Sequence, residues 1–393
     1  MLNEKMVGLG SRRSVIREIF EYGKKRKAEI GEENVFDFSL GNPSVPAPAA
    51  VTAAMEHIIK ETDPVRLHGY TSAQGDMAVR AKIAKSIEKR FDFPANKDLI
   101  YMTCGAAASL TVTLNALVNS GDEIIIPAPF FPEYRVFAEN AGARVVTVMC
   151  REPDFQLDIK AIESAVNEKT KAIIINSPNN PTGAVFSPDT IKALSDMLVR
   201  KQAEYGTDIY IIADEPYREL SYGAAVPYIP KYYANTAVCY SYSKSLSLPG
   251  ERIGYIFIPE SANNSKKLYA AVCGAGRALG FVCAPSLMQY TVAECTDALP
   301  DISTYKKNRD LLFGALTDYG YKAVPPDGAF YLLVKSPEPD ANAFCERAKK
   351  YELLLVPSDD FGCTGYVRIS YCVTTEQIEK SLPAFKALIE EYK

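Results

Sequence analysis

Histidine is nearly absent from this chain of 393 residues: only His57 and His68 occur. A Ser-His-Asp triad would have to draw on one of these two, and no G-x-S-x-G elbow accompanies them. A histidine-rich metal site is excluded on the same ground. Nine cysteines, an odd number, lie scattered with no C-x-x-C pair. That argues against a disulfide framework or a zinc site and for reduced thiols in a cytoplasmic protein. No apolar run approaches the ~18 residues of a membrane span, and the N-terminus MLNEKMVGLGSRRS has no apolar core of the kind a secretory signal requires. G-x-x-x-x-G-K-[ST] is missing, which speaks against a P-loop ATPase. C-G-A-G-R-A-L-G at 273–280 has its last glycine one residue too far for a dinucleotide fingerprint. Repeats and low-complexity tracts are absent as well. A net charge of −4 gives no reason to expect nucleic acid or an anionic membrane as partner, and the short basic run Lys24–Lys27 reads as a solvated helix face.

What is present is an ordinary globular composition, 47% hydrophobic and 23% charged, long enough for a large domain plus a smaller one. Short apolar runs alternate with helical patterns through the middle of the chain, which is the signature of an α/β domain with a largely parallel sheet. The strands are expected at Leu99–Thr103, Glu123–Pro127, Arg144–Val148, Ala172–Asn176, Ile209–Ala213, Ala237–Ser241 and Gly254–Ile258. Several are apolar throughout, as strands buried on both faces are. Helices are expected at Ala108–Val118 and Pro188–Lys201. Beyond about Pro285 the pattern becomes α+β: a helix around Tyr305–Thr317, short strands at Gly328–Val334, Leu353–Pro357 and Tyr366–Tyr371, and a closing helix Thr375–Glu391. The expected division is a large domain over 46–290 and a small one made of 1–45 and 291–393.

The strongest chemical signal is S-Y-S-K-S-L-S-L-P-G-E-R-I-G, Ser241 to Gly254, at the end of an expected strand. A lysine in such a loop suits a Schiff-base amine, which must be reachable and partly neutral, and Ser241, Ser243 and Arg252 are phosphate donors beside it. A lone loop lysine is ordinarily a solvated surface group, so Lys244 draws its weight from its neighbours. Asp214 in A-D-E-P-Y follows an apolar strand and points to the crevice where α/β sheets bind ligands, suited to a pyridinium nitrogen; the bland alternative is a helix cap. Tyr217, three residues on, suits a phenolate oxygen. Asn180 lies in S-P-N-N-P-T-G, which by itself is a turn. T-C-G-A-A-A-S, Thr103 to Ser109, opens a helix with small residues and bare N–H groups, a seat for phosphate or simply close packing.

In this order the motifs resemble those of the class I/II aminotransferases of the aspartate aminotransferase superfamily, the fold-type I enzymes that use pyridoxal 5'-phosphate. The likeness runs from F-S-L-G-N-P at 38–43 to V-R-I-S-Y at 367–371. It implies a large three-layer αβα domain with a mostly parallel sheet and a smaller α+β domain. It implies that Lys244 carries the cofactor as an internal aldimine and later shuttles the proton at the substrate α-carbon. Asp214 is then the partner of the ring nitrogen, and Tyr217 and Asn180 those of the ring oxygen. Ser241, Ser243, Arg252 and the backbone at Gly105, Ala106 and Ala107 hold the phosphate. Phe131, or else Phe130, stacks on the ring. Tyr70 matches a tyrosine that reaches the phosphate of a neighbouring subunit, which implies a homodimer with shared active sites. Arg368 matches the arginine that grips the substrate α-carboxylate, assisted by Gly41 and Asn180.

The implied reaction is ping-pong transfer of an amino group between an L-amino acid, possibly aspartate-like, and a 2-oxo acid. The chain departs from the family at Ala106-Ala107, where many relatives carry a longer or charged side chain, so the group that reads the distal end of the substrate is unassigned. Arg277 stands at about the chain distance where some dicarboxylate-specific relatives place such a group; a surface ion pair is the commoner fate of an arginine. Two other readings share the fold: a lyase expelling a β or γ leaving group, and a regulatory domain. The second requires a fused DNA-binding segment, for which the residues before the first motif leave no room.

Overall fold

The computed structural model describes residues 2–11 and 14–393. Its centre is a seven-stranded sheet built from β1 (Ile100–Thr103), β2 (Glu123–Ala128), β3 (Arg144–Met149), β4 (Thr170–Asn176), β5 (Tyr210–Asp214), β6 (Thr236–Ser241) and β7 (Gly254–Phe257), in the order β1-β7-β6-β5-β4-β2-β3. The runs Ile124–Ile126, Ile173–Ile175 and Ile211–Ile212 are buried. β-branched side chains suit a pleated surface covered on both faces, and here two separate apolar clusters cover the two faces.

All seven strands stand where the apolar runs put them, within two residues at each end. The expectation of a largely parallel sheet holds with one exception. β7 runs antiparallel to both of its neighbours, with Gly254 opposite Thr103 on one side and Ser241 on the other. Its amino end therefore lies beside the carboxyl ends of β1 and β6, and this carries Arg252 to the edge where the parallel strands finish.

Helices begin and end on local signals. Pro188–Tyr205 starts with Pro188 in its first turn, and the Ser187 hydroxyl accepts from the Thr190 N–H at 3.1 Å; it ends on Gly206 at φ 66°. A capping hydroxyl, an early proline and a left-handed glycine each satisfy or tolerate what a helix end demands. Extra helical turns at the ends lengthen Pro188–Tyr205 and Ser303–Tyr319 beyond their sequence-based bounds.

The C-terminal part forms a four-stranded antiparallel sheet in the order Val356–Pro357, Tyr366–Ser370, Tyr331–Lys335, Lys322–Ala323. The single strand expected over Leu353–Pro357 is in fact two. Leu353–Leu354 pairs in parallel with Phe36–Asp37, whereas Val356–Pro357 pairs with Tyr366–Ser370 in the other sheet. Both halves read as apolar because both are buried, so hydropathy alone does not show the switch. The basic run also departs from a simple solvated face: Lys24 and Lys25 are exposed, but Arg26 pairs with Glu352 at 2.6 Å and Lys27 with Asp37 at 3.3 Å. These pairs, with Ile19 buried against Leu354, Val356 and Phe361, fasten the helix Val15–Ile30 to the C-terminal sheet. Among the described residues no helix is long and apolar enough to cross a membrane.

Candidate active site

Ligands of open α/β sheets bind outside the carboxyl ends of the strands, and a cavity of about 550 Å³ opens there. Its lining includes Gly41, Ala106, Ala107, Phe131, Asn180, Tyr217, Ser241, Ser243, Lys244, Arg252 and Arg368. A smaller recess of about 100 Å³ shares Phe131, Asn180 and Tyr217 and adds Asp214 as its floor. Residues scattered over more than 300 positions are thus brought to one wall by strand ends: Thr103–Gly105 after β1, Phe131 after β2, Asn180 after β4, Asp214 at the end of β5, and Ser241 and Lys244 at and after β6.

Lys244 sits in the short helix Tyr242–Ser245, whose cap Ser241 accepts from the Ser243 N–H at 3.2 Å. Its ammonium donates to the Gly41 carbonyl at 2.7 Å. Burial pulls its pKa from 10.5 down to about 8; the nearby Arg252 and Arg368 push the same way and the Cys372 thiol opposes them. A desolvated ammonium beside two guanidinium groups gives up its proton more readily than a solvated one.

Asp214 is 4% exposed. Its Oδ2 accepts from the Tyr134 hydroxyl and, at 3.5 Å, from Asn176 Nδ2, while Oδ1 has no partner. Burial raises the pKa of this carboxyl from 3.8 to about 7, with the Tyr134 bond pulling it down and Glu215 pushing it up. An orphaned carboxylate oxygen in a dry floor is costly unless a cationic or N–H group is meant to meet it.

At the other end, Gly105 takes φ 86° and opens the helix Ala106–Leu117 without a side-chain cap, leaving the first N–H groups free. A Cβ on Gly105 would stand 2.8 Å from Arg252 Nη2. Arg252 Nη1 in turn lies 3.4 Å from the Ser243 hydroxyl, which is bonded at 2.9 Å to Ser241. Helix N–H groups, two hydroxyls and a guanidinium converge on a space fitted to a phosphate dianion.

Arg368, on the strand Tyr366–Ser370, is 2% exposed. It donates to the Ser39 carbonyl and, at 3.3 Å, to Asn180 Oδ1, and its guanidinium packs 4.8 Å from the Tyr331 ring centroid and 5.1 Å from that of Phe361. Its Nε is unpaired, and burial lowers its pKa. Tyr217 shares a 2.9 Å hydrogen bond with Tyr331, and burial raises the pKa of both hydroxyls, that of Tyr331 to about 12.

Of the two aromatic candidates, Phe131 lines the cavity, while Phe130 lies in the core under Arg135. Two predicted residues stand apart. Tyr70 is 99% exposed, and Arg277 is exposed in the last turn of the helix Ser265–Ala278, outside the cavity of its own chain. Tyr134, Asn176 and Tyr331 carry the site's hydrogen bonds and were missed by sequence reasoning. Tyr134 lies three residues after Phe131, and Asn176 ends β4; Tyr331 had no local signal.

The pattern of class I and II aminotransferases matches residues 33–385. The chain belongs to that family. A probable aspartate aminotransferase of Methanocaldococcus jannaschii is 29% identical over 393 residues, covering 96% of this chain and 97% of the relative. The crystal structure of an amino transferase from Eubacterium rectale has a TM-score of 0.98 and 55% identity, covering 100% of this chain and 99% of that one. An aspartate aminotransferase from Thermus thermophilus, solved with maleate, has a TM-score of 0.88 and 25% identity, covering 99% of each chain. The fold of this family member is the α/β fold of the fold-type I pyridoxal-phosphate enzymes, and the activity the relatives support is amino-group transfer.

Proposed function

We propose that this chain is a pyridoxal 5'-phosphate-dependent aminotransferase in which Lys244 anchors the cofactor, working by ping-pong kinetics between an L-amino acid and a 2-oxo acid. One observation carries the reading: the unpaired Oδ1 of buried Asp214 lies in a recess that shares Phe131, Asn180 and Tyr217 with the cavity lined by a desolvated Lys244 amine. When bound, the cofactor supplies an electron-withdrawing ring that takes up the charge left by loss of the substrate α-proton. Asp214 would hold a proton on the ring nitrogen, and Tyr217 and Asn180 would bond the ring oxygen. Gly105, Ala106, Ala107, Ser241, Ser243 and Arg252 would hold the phosphate, with Phe131 against the ring. Arg368 binds the α-carboxylate through its fork, which fixes the α-carbon. Lys244 Nζ, with its pKa near 8, then moves the proton at that carbon at a pH where the amine is partly free.

We further propose the division into a large unit, 46–290, and a small one, 1–45 with 291–393, and a homodimer in which Tyr70 serves the neighbouring site. Relatives that are aspartate or probable aspartate aminotransferases make aspartate the first donor to try. The test is direct. Purified protein supplied with the cofactor turns yellow, borohydride fixes the cofactor on the peptide containing Lys244, and an amino acid with 2-oxoglutarate yields a new amino acid and 2-oxo acid. Labelling of another lysine, or no cofactor uptake, overturns the reading. Pyruvate and ammonia without an acceptor would establish elimination instead.

A further inference from the structure

Among the described residues four cationic side chains line the cavity: Arg17, Lys244, Arg252 and Arg368. Three have work assigned to them by the geometry above. Among the described residues Arg17 makes no hydrogen bond or ion pair, although Glu133 lines the same cavity. Arg17 is exposed in the first turn of the helix Val15–Ile30.

Its placement is not accidental. Two residues on, Ile19 is buried with Val35, Leu354, Val356 and Phe361, and Phe361 is the ring packed 5.1 Å from the Arg368 guanidinium. The helix that carries Arg17 is thus seated on the same aromatic side chain that seats Arg368. The segment Ser39–Gly41 meets the same cavity. Ser39 accepts from Arg368, Gly41 from Lys244, and the Leu40 side chain lines the cavity together with Ile16 and Phe131. A ligand held by its α-carboxylate at Arg368 is bounded by apolar side chains and offered a second guanidinium at the rim. At Ala106 and Ala107 the lining presents only methyl groups.

We propose that Arg17 is the specificity-determining residue of this site, reading the distal carboxylate of a dicarboxylic amino or 2-oxo acid. The inference rests on the reading of the cavity as an amino acid site. A guanidinium gives a carboxylate a charge-assisted, forked hydrogen bond, and in an exposed position this remains sensitive to salt.

The test compares the holoenzyme with R17A and, as a control, R277A. Replacing an exposed side chain is expected to leave stability nearly unchanged. R17A raises KM for aspartate and 2-oxoglutarate and the Kd of maleate about tenfold, the scale of one lost charged hydrogen bond. It leaves kcat/KM for alanine and pyruvate within about twofold, and the preference for dicarboxylates in the parent enzyme weakens as salt is raised. An unchanged ratio of dicarboxylate to monocarboxylate kcat/KM in R17A overturns the proposal, as does a ratio that falls in R277A alone. If no donor and acceptor pair transfers an amino group, yet maleate binds calorimetrically in an Arg17-dependent way, the aminotransferase reading fails and this one stands.

Discussion

The two ends of the cavity are built on opposite principles. At the Asp214 end a carboxyl group is sealed under Tyr134 and Asn176, one oxygen left unpaired, with its pKa driven up to about 7 by burial. At the Arg252 end the donors are open: Arg252 is exposed, and the N–H groups of the helix Ala106–Leu117 face free space beside Gly105. The dry end favours a group that completes a single pair, because an unmatched charge there is expensive. The open end would share a multiply charged anion among several donors, the Arg252 guanidinium and the helix N–H groups among them. Under the proposed function one end would tune a ring and the other would hold a handle.

Removing the charge at the dry end is expected to have the larger effect. Asp214→Asn preserves shape and the Tyr134 contact but cannot keep a facing ring nitrogen protonated; kcat falls on the order of a hundredfold or more, measured in single turnovers of the cofactor-loaded enzyme. The same variant reports on the cofactor-free protein. The folded pKa of Asp214 lies above its unfolded value, so its contribution to stability is fully present below about pH 4 and lost as pH rises through about 7. In urea unfolding, cofactor-free wild type therefore loses a few kcal/mol relative to D214N between those limits. A difference independent of pH would show that the carboxyl is not held in a desolvated state.

At the open end the expected effects are smaller. Gly105→Ala places a side chain on a residue at φ 86° and ψ 175°, a region essentially reserved for glycine, costing about 1–3 kcal/mol of strain, and its Cβ would lie 2.8 Å from Arg252 Nη2. The exposed guanidinium can swing aside cheaply, but it then leaves the space it shares with Ser243. Equilibrium titration should show the cofactor Kd rising about tenfold while the single-turnover rate at saturation changes little. A loss in rate rather than in affinity would erase the distinction between the two ends.

The sequence revealed these ends unequally. Most strands were legible because burial on both faces leaves apolar runs, and the Asp, Asn and Lys positions because each lies at or within four residues of the end of such a strand. Tyr331 was invisible because its partners lie elsewhere in the sequence, Tyr217 in the turn after β5 and Arg368 on the neighbouring strand Tyr366–Ser370. Nor did hydropathy show that β7 is reversed, since the direction of a buried strand leaves no mark on composition, yet that reversal is what delivers Arg252. The switch of Leu353–Pro357 between two sheets was hidden for the same reason. Arg17 escaped notice because an arginine in the first turn of an exposed helix resembles any other surface charge until the cavity beside it is known.

The smallest effect concerns a residue that touches neither end within its own chain. Tyr70 is 99% exposed, an unusual state for a large side chain with an apolar body, and the exposed Val65 and Met77 flank it in sequence. In an isolated chain Tyr70→Phe can change nothing beyond about ±0.5 kcal/mol, the range of ordinary surface substitutions. In a pair of chains that brings the hydroxyl to the neighbouring phosphate, it removes one hydrogen bond at the open end, worth about 1 kcal/mol, or roughly fivefold in cofactor Kd. Such a loss should therefore appear only at concentrations where sedimentation shows dimers and vanish on dilution to monomers, with thermal stability unaltered. An unchanged Kd in the dimer would remove Tyr70 from the open end and leave the donors of a single chain sufficient to hold the anion.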